Sequence, residues 1–172
     1  MCIRDRSRAI MTANIIADVC SFLYLPITKT WRLNERHYGA LRGINKDVSK
    51  KIFGKEQVLK WRRGFDSVPP LLTQPVQDRR YQKYDMRLMP QGESLHQTQD
   101  RLMPYFWDHI APELMSGHDQ LIVAHGSSLR ALIKKIEGIS NKDIVKVEVP
   151  NAEPIVYTFD SDLHIIKKEI LH

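Results

Sequence analysis

Residues 31–41 (WRLNERHYGAL) hold the side chains of this chain that are best suited to chemistry. Glu35, Arg36, His37 and Tyr38 are consecutive and precede a glycine. On an irregular loop, such residues can converge on one anionic ligand, and a carboxylate beside that ligand can exchange protons with a hydroxyl group. The alternative for the acid and the guanidinium is a surface salt bridge, which contributes little to stability.

Residues 124–130 (AHGSSLR) have the pattern of a strand that turns into a helix. A continuous apolar run delivers His125, Gly126 permits a sharp turn, and Ser127 adds a hydroxyl beside the helix N-terminus. The unpaired N–H groups of such a terminus attract anions. The alternative is a turn whose histidine is merely hydrogen-bonded, and periodicity alone favours that alternative.

Four more cationic side chains extend this set: Arg8, Lys46, Arg62 and Arg63. Planar guanidiniums make bidentate contacts with carboxylate and phosphate groups, whereas a lysine supplies a point charge. The alternatives are that Arg62 and Arg63 stabilise a helix dipole and that Arg8 is solvated.

The amino-acid composition of the chain limits the classes of partner that it can bind. The chain has 172 residues, which is enough for one domain, and 26 Lys and Arg against 20 Asp and Glu. The resulting charge of +6 favours polyanions, although a basic surface also serves solubility. No apolar run is long enough to cross a membrane, so we predict no membrane partner. The charges do not alternate with aromatic residues, so we predict no nucleic-acid partner.

The histidines and cysteines lack the spacing of metal ligands, so we predict no metal. Two cysteines cannot build a disulfide scaffold, and we therefore predict a cytoplasmic location. Cys20 lies on an apolar helical face and is predicted to be a small core residue.

Apolar spacing and turn residues predict the elements that position these groups. Helices are predicted over 8–23, 45–53, 56–63, from 93 or 94 to about 110, and 129–136, with Asn45 as the N-cap of the second, a kink at Pro104 in the fourth, and a further short helix opened by Ser140 and Asp143. Strands are predicted over 27–33, 120–124, 147–149, 155–159 and 163–170. Residues 64–91 are predicted to be irregular. This alternation favours an α/β three-layer domain, in which ligands lie at the carboxyl ends of the strands.

Six segments together resemble a known family: WRLNERHYGAL, the Lys46 that follows GIN, WRRGFD, GESL at 92–95, AHGSSLR and PIVYTFDSDL. They occur in the order found in the cofactor-dependent phosphoglycerate mutases of the histidine phosphatase superfamily. The resemblance runs from about residue 7 to residue 163. We therefore divide the chain into a non-matching tail, 1–6 (MCIRDR), and a mutase-like domain, 7–172, that is incomplete at its N-terminus.

The resemblance implies a role for each residue. Glu35 resembles the general acid/base, His125 the imidazole that donates a hydrogen bond to the transferred phosphoryl group, and Arg8 the arginine that holds this group. The substrate-binding residues that it implies are Arg36, His37, Tyr38, Lys46, Arg62, Arg63, Gly126 and Ser127. We expect all of these groups to gather in one pocket for small phosphorylated three-carbon acids.

The activity that the resemblance implies is an isomerase reaction of glycolysis and gluconeogenesis, between 3-phosphoglycerate and 2-phosphoglycerate. It would proceed through a phosphohistidine primed by 2,3-bisphosphoglycerate, without a metal, in a homodimer or homotetramer. The expected fold is a three-layer α/β sandwich whose mostly parallel sheet is flanked by helices and lacks the family's first strand.

The chain departs from the family at two places. Ser127 stands where the family has asparagine, and the Arg-His-Gly segment that carries the nucleophilic histidine does not occur. The one Arg-His pair, Arg36–His37, lies in the substrate loop. We therefore expect a clamp and an acid/base without a nucleophile. Two alternatives remain: an inactive fragment or pseudoenzyme that binds phosphorylated ligands, and a phosphatase of the same superfamily.

Overall fold

The computed structural model describes residues 1–4, 7–74, 81–82 and 84–171. The chain forms two compact units, of which the first comprises Met1–Glu35, Gln99–Ile139 and Val147–His172, and the second Arg36–Thr98 and Ser140–Lys146. The helices are α1 (Ser7–Val19), α2 (Lys46–Phe53), α3 (Lys55–Arg63), α4 (Leu95–Tyr105), α5 (Ala111–Met115) and α6 (Gly126–Ile136). The strands are β1 (Cys2–Arg4), β2 (Thr28–Thr30), β3 (Ile122–Val123), β4 (Ile155–Phe159) and β5 (Ile165–Ile170).

The sheet of the first unit is parallel and has the order β2-β1-β3. Ile3 pairs with Val123 on one side and with Lys29 on the other. Cys2 and Ile3 point to opposite faces because successive residues of a strand alternate, and both side chains are buried. The centre of the sheet is therefore filled by a three-residue strand.

We expected the sheet to lack a strand ahead of α1. Strand β1 nevertheless precedes α1 and takes the central position of the sheet. Residues 2–4 belong to the tail that we set apart at the sequence level, whereas residues 5 and 6 of that tail lie outside the described residues. Two apolar side chains in alternation are sufficient for the central position, because each covers one face of the sheet.

One core cluster occupies the first unit and combines α4, α5, α6 and the short helical turn after β2. Its buried members are Cys2, Leu33, Leu102, Met103, Tyr105, Phe106, Ile110, Ala111 and Leu132. Helix α1 packs against β1 and β3, and its buried stripe consists of Ala9, Ala13 and Ala17. The predicted α/β class, with a mostly parallel sheet flanked by helices, is confirmed.

Several local predictions were wrong. Cys20 is exposed, because α1 ends at Val19 and its buried stripe consists of alanines. Strand β3 covers only Ile122–Val123 and is half-buried, although we expected a fully buried strand over 120–124. Residues 147–149 form no strand. Strand β2 stops at Thr30, because Trp31–Leu33 turns into a 3-10 helix.

The regular elements among the described residues of the second unit are helices, and they lie close to the predicted positions. The Asn45 side chain accepts a hydrogen bond from the N–H of Asp47 at 2.8 Å and caps α2, as predicted. Helix α3 ends at Arg63 before Gly64. Ser94 and Gln97 form a reciprocal capping box at the start of α4. Of the segment predicted to be irregular, 75–80 and 83 lie outside the described residues, and Met86–Leu88 forms a 3-10 turn.

The C-terminal strands β4 and β5, which were both predicted, form an antiparallel hairpin in the first unit. The Tyr157 hydroxyl donates a hydrogen bond to Glu137 Oε1, and Lys168 Nζ lies 2.7 Å from the same oxygen. Burial and this hydrogen bond both raise the pKa of Tyr157 well above its ordinary value. No helix within the described ranges is long and apolar enough to span a bilayer.

Candidate functional site

In the first unit, a buried guanidinium holds the backbone that leads to Glu35. Arg101 is 8% exposed and donates hydrogen bonds to the carbonyl oxygens of Trp31 (3.1 Å), Arg32 (2.6 Å) and Asn34 (3.1 Å). An irregular segment cannot satisfy its own carbonyls, so these contacts stabilise its conformation. The course of the chain up to Glu35 is therefore set by α4.

A second hydrogen bond joins this segment to the start of α6. The Ser128 hydroxyl donates to the carbonyl of Asn34 at 2.6 Å, and Ser128 is completely buried. His125 is the N-cap residue of α6, and its carbonyl accepts from the N–H of Leu129 at 2.9 Å. The first unit thus brings the residue before Glu35 into contact with the first turn after His125.

The start of α6 has features that suit an anion. His125 is half-buried, Ser127 is buried, and the first turn of the helix carries no acidic residue. Arg8 belongs to the same unit and is exposed in the first turn of α1. The roles of His125, Gly126, Ser127 and Arg8 toward a phosphoryl group stay predictions.

In the second unit, two guanidiniums lie over one tyrosine ring. The guanidinium carbon of Arg36 is 4.7 Å from the ring centre of Tyr38, and that of Arg62 is 5.2 Å from it. Arg36 is 2% exposed, and its Nη2 donates to the carbonyl of Arg62 at 2.8 Å. The ring attracts both cations and fixes their spacing.

Part of the hydrogen-bonding capacity of these guanidiniums is unused. Nε and Nη1 of Arg36 and Nε of Arg62 are buried, and no described residue accepts a hydrogen bond from them. Buried N–H groups of a charged side chain carry a desolvation cost unless they find an acceptor. An anionic ligand would offset this cost.

An open depression of about 570 Å³ lies beside this pair. Its lining includes Tyr38, Lys46 and Arg62, together with Arg42, which we did not single out from the sequence. Arg42 directly follows the loop motif, and that adjacency was the available signal. Arg63 instead donates from Nε to the carbonyl of Val145 at 3.2 Å.

Glu93 fixes the middle of the loop. The backbone N–H of His37 donates to Glu93 Oε2 at 2.9 Å, and the N–H of Glu93 donates to the carbonyl of His37 at 2.7 Å. His37 Nδ1 accepts from the N–H of Gly39 at 3.3 Å, so a neutral ring carries its proton on Nε2. From the sequence, Glu93 is a possible helix start and part of the GESL segment, and its contact with His37 was not predicted.

Gly39 is the residue that lets the loop turn. Its φ is +55°, and a Cβ atom built there would lie 2.0 Å from the carbonyl oxygen of Pro70. That carbonyl accepts from the N–H of Ala40 at 2.8 Å. Only glycine fits both the backbone angle and the contact.

The histidine phosphatase superfamily (branch 1) matches residues 5–169. The chain belongs to this superfamily. It is 94% identical over 166 residues to 2,3-bisphosphoglycerate-dependent phosphoglycerate mutase 2 of Lactobacillus johnsonii, a match that covers 96% of this chain and 72% of the relative. It is 53% identical to 2,3-bisphosphoglycerate-dependent phosphoglycerate mutase 1 of Latilactobacillus sakei, with 94% of this chain and 68% of the relative covered.

A solved structure has the same fold as this superfamily member. It is a mycobacterial glucosyl-3-phosphoglycerate phosphatase in complex with inorganic phosphate, with a TM-score of 0.68 and 19% sequence identity. The match covers 99% of this chain and 73% of that chain. No cluster of three or more potential metal ligands occurs among the residues that the structure describes.

We predict that Arg101→Met destabilises the protein by about 2–4 kcal/mol, because three carbonyl groups lose a charged donor. Urea unfolding followed by circular dichroism measures this loss. Arg87→Met serves as control, since Arg87 is exposed and forms an exposed salt bridge with Asp85. The control should lose less than about 1 kcal/mol. Equal losses in the two variants would contradict the assigned role of Arg101.

We predict that Gly39→Ala costs more than about 2 kcal/mol, because a left-handed backbone strain of about 1–2 kcal/mol adds to the clash with Pro70. Gly43→Ala is the matched control, since Gly43 has a φ of +81° and open space around its Cβ position. The Gly43→Ala variant should lose only the stability that corresponds to the backbone strain. Unfolding midpoints compare the two, and a Gly39→Ala variant as stable as the control would disprove the close contact.

Proposed function

We propose that this chain provides the substrate-binding and proton-transfer residues of a 2,3-bisphosphoglycerate-dependent phosphoglycerate mutase. Such an enzyme interconverts 3-phosphoglycerate and 2-phosphoglycerate in glycolysis and gluconeogenesis. The observation that carries the proposal is the pair of guanidiniums, Arg36 and Arg62, stacked on Tyr38 with buried N–H groups that find no acceptor among the described residues. The mutase names of relatives that are 94% and 53% identical support it.

The charge of the second unit's residues suits a phosphoglycerate. This ligand has a carboxylate at one end and a phosphate at the other, and it requires more than one cation. Arg36 and Arg62 can make bidentate contacts, whereas Lys46 adds a mobile point charge at the edge of the depression. Phosphoryl transfer depends mainly on positioning and on charge stabilisation, which are what such a clamp provides.

Glu35, His125, Arg8 and Ser127 are suited by type to a phosphoryl group and to the hydroxyl group that accepts it. Where a phosphohistidine is present, Glu35 would take the proton of the hydroxyl group that accepts its phosphoryl group, and it would return a proton to the substrate oxygen whose phosphoryl group passes to the histidine. His125 and the N–H groups at the start of α6 stabilise the charge on the phosphoryl oxygens. Arg8 adds a cation to the same phosphoryl group, and the Ser127 hydroxyl donates one hydrogen bond to it.

2,3-Bisphosphoglycerate, when bound, supplies the phosphoryl group that primes a nucleophilic histidine in this family. The N–H groups of Arg36 and Arg62 that have no acceptor within the described part of the chain would suit its high negative charge. The chain holds no Arg-His-Gly segment, and the ring of His37 in its one Arg-His pair already accepts from Gly39. We therefore propose that this chain binds phosphoglycerates without turning them over. The homodimer or homotetramer, the N-terminal truncation and the cytoplasmic location stay predictions.

The full 172-residue chain should bind 3-phosphoglycerate and 2,3-bisphosphoglycerate in isothermal titration calorimetry. Arg62→Gln should weaken binding of both by about 10- to 100-fold, because a charge-assisted contact is lost. Arg87→Gln removes the same charge from an exposed position and should bind like the unchanged protein.

Turnover is measured by incubating the chain with 3-phosphoglycerate and a 2,3-bisphosphoglycerate primer. We expect no 2-phosphoglycerate and no free phosphate. Formation of 2-phosphoglycerate would show that another side chain serves as nucleophile, and release of phosphate alone would favour the phosphatase. Absence of binding would overturn the proposed clamp.

Ser127→Asn should strengthen binding of inorganic phosphate by about tenfold, since the amide reaches further than the hydroxyl and can donate two hydrogen bonds. Competition between phosphate and 3-phosphoglycerate, followed by calorimetry, measures the change. Ser140→Asn, at a capping position of the second unit, is the control and should leave the affinity unchanged. Equal affinities for phosphate in Ser127→Asn and the control would count against a contact at residue 127.

A further inference from the structure

We propose that Arg42 is an additional ligand of the anion in the depression and that it favours a bisphosphorylated over a monophosphorylated acid. This inference rests on the proposed function and adds a selectivity to it. Arg42 lies outside the set of residues that the family resemblance assigns. Its placement in the lining of the depression, together with Lys46 and Arg62, is the observation that carries the inference.

The lining holds three cations, Arg42, Lys46 and Arg62, against one acid, Asp47. Lys46 attracts Asp47 electrostatically, whereas Arg42 has no side-chain hydrogen bond or ion pair with the residues that the structure describes. The one acid of the lining, Asp47, forms a salt bridge of 2.9 Å with Lys50. The hydrogen bond from Lys50 lowers the pKa of Asp47, so this carboxylate is ionised and is largely compensated by Lys50 at neutral pH.

The backbone fixes the position from which the Arg42 side chain extends. The N–H of Arg42 donates to the carbonyl of Gly39 at 3.1 Å, which closes the 3-10 turn Gly39–Leu41. Leu41 is 2% exposed and anchors this turn in the second unit. Arg42 is itself exposed, so its guanidinium can reach a ligand in the depression without a cost in burial.

Uncompensated cations around one concave surface repel each other, and the repulsion is relieved most by the ligand with the most negative charge. Lys46 and Arg62 suffice for one phosphate. Arg42 is the third cation, and its guanidinium has a bidentate donor pair. It contributes to binding when the ligand has a second phosphate. The depression thus distinguishes 2,3-bisphosphoglycerate from 3-phosphoglycerate by charge.

The test compares the affinities of the full chain and of Arg42→Gln, Arg42→Lys and Arg87→Gln for two probes, 2,3-bisphosphoglycerate and 3-phosphoglycerate. Arg42→Gln should weaken binding of the bisphosphate by about 10- to 100-fold and that of the monophosphate by less than about threefold. Arg42→Lys should retain part of the preference, because the charge remains and the bidentate geometry is lost. Arg87→Gln should match the unchanged chain.

Each result decides the inference. An equal loss for the two probes, or an Arg42→Gln variant that binds like Arg87→Gln, would overturn it while the proposed function stands. If the unchanged chain binds neither probe, both proposals fail. Unfolding midpoints accompany the titrations, and because Arg42 is exposed, its replacement should leave the midpoint unchanged.

Discussion

The loop that carries Glu35 through Tyr38 depends on side chains that bind its backbone. Residues in irregular segments lack partners for their N–H and C=O groups, and leaving such groups buried without partners destabilises a fold. Arg101 meets this need before Glu35, and the carboxylate of Glu93 meets it at His37. Both are buried charged groups, and each stabilises the conformation of the backbone segment that it binds.

The need of buried polar groups for partners also explains why Arg36 and Arg101 use their N–H groups differently. Both are buried, but Arg101 donates to three carbonyls, whereas Arg36 donates to one and leaves two nitrogen atoms without an acceptor among the described residues. Stacking on Tyr38 holds Arg36 in place without using its N–H groups. The two arginines therefore differ in how many of their donors the described residues consume.

The sequence predicted the elements whose boundaries depend on local chemistry, such as the Asn45 cap of α2 and the glycines that end α2 and α3. It failed where tertiary contacts decide. The alanine stripe of α1 is buried, whereas Cys20 is exposed. The packing of α1 against its neighbours, rather than the hydrophobicity of its residues, determines which of its faces is buried. The roles of Glu93 and Arg101 were not predicted, because their partners lie 56 to 70 residues away in the chain and form no local pattern.

The central strand shows how fold and chemistry can separate in this superfamily. The place between β2 and β3 requires two apolar side chains and a backbone that pairs in parallel with both neighbours, and Cys2 and Ile3 satisfy these needs. Catalysis by a phosphohistidine requires one particular side chain, a histidine, at one position. The packing of the sheet does not require that residue. The parallel sheet and the positioned loop therefore depend on packing and on hydrogen bonds to the backbone, and the same framework can serve different reactions according to the side chains at its site.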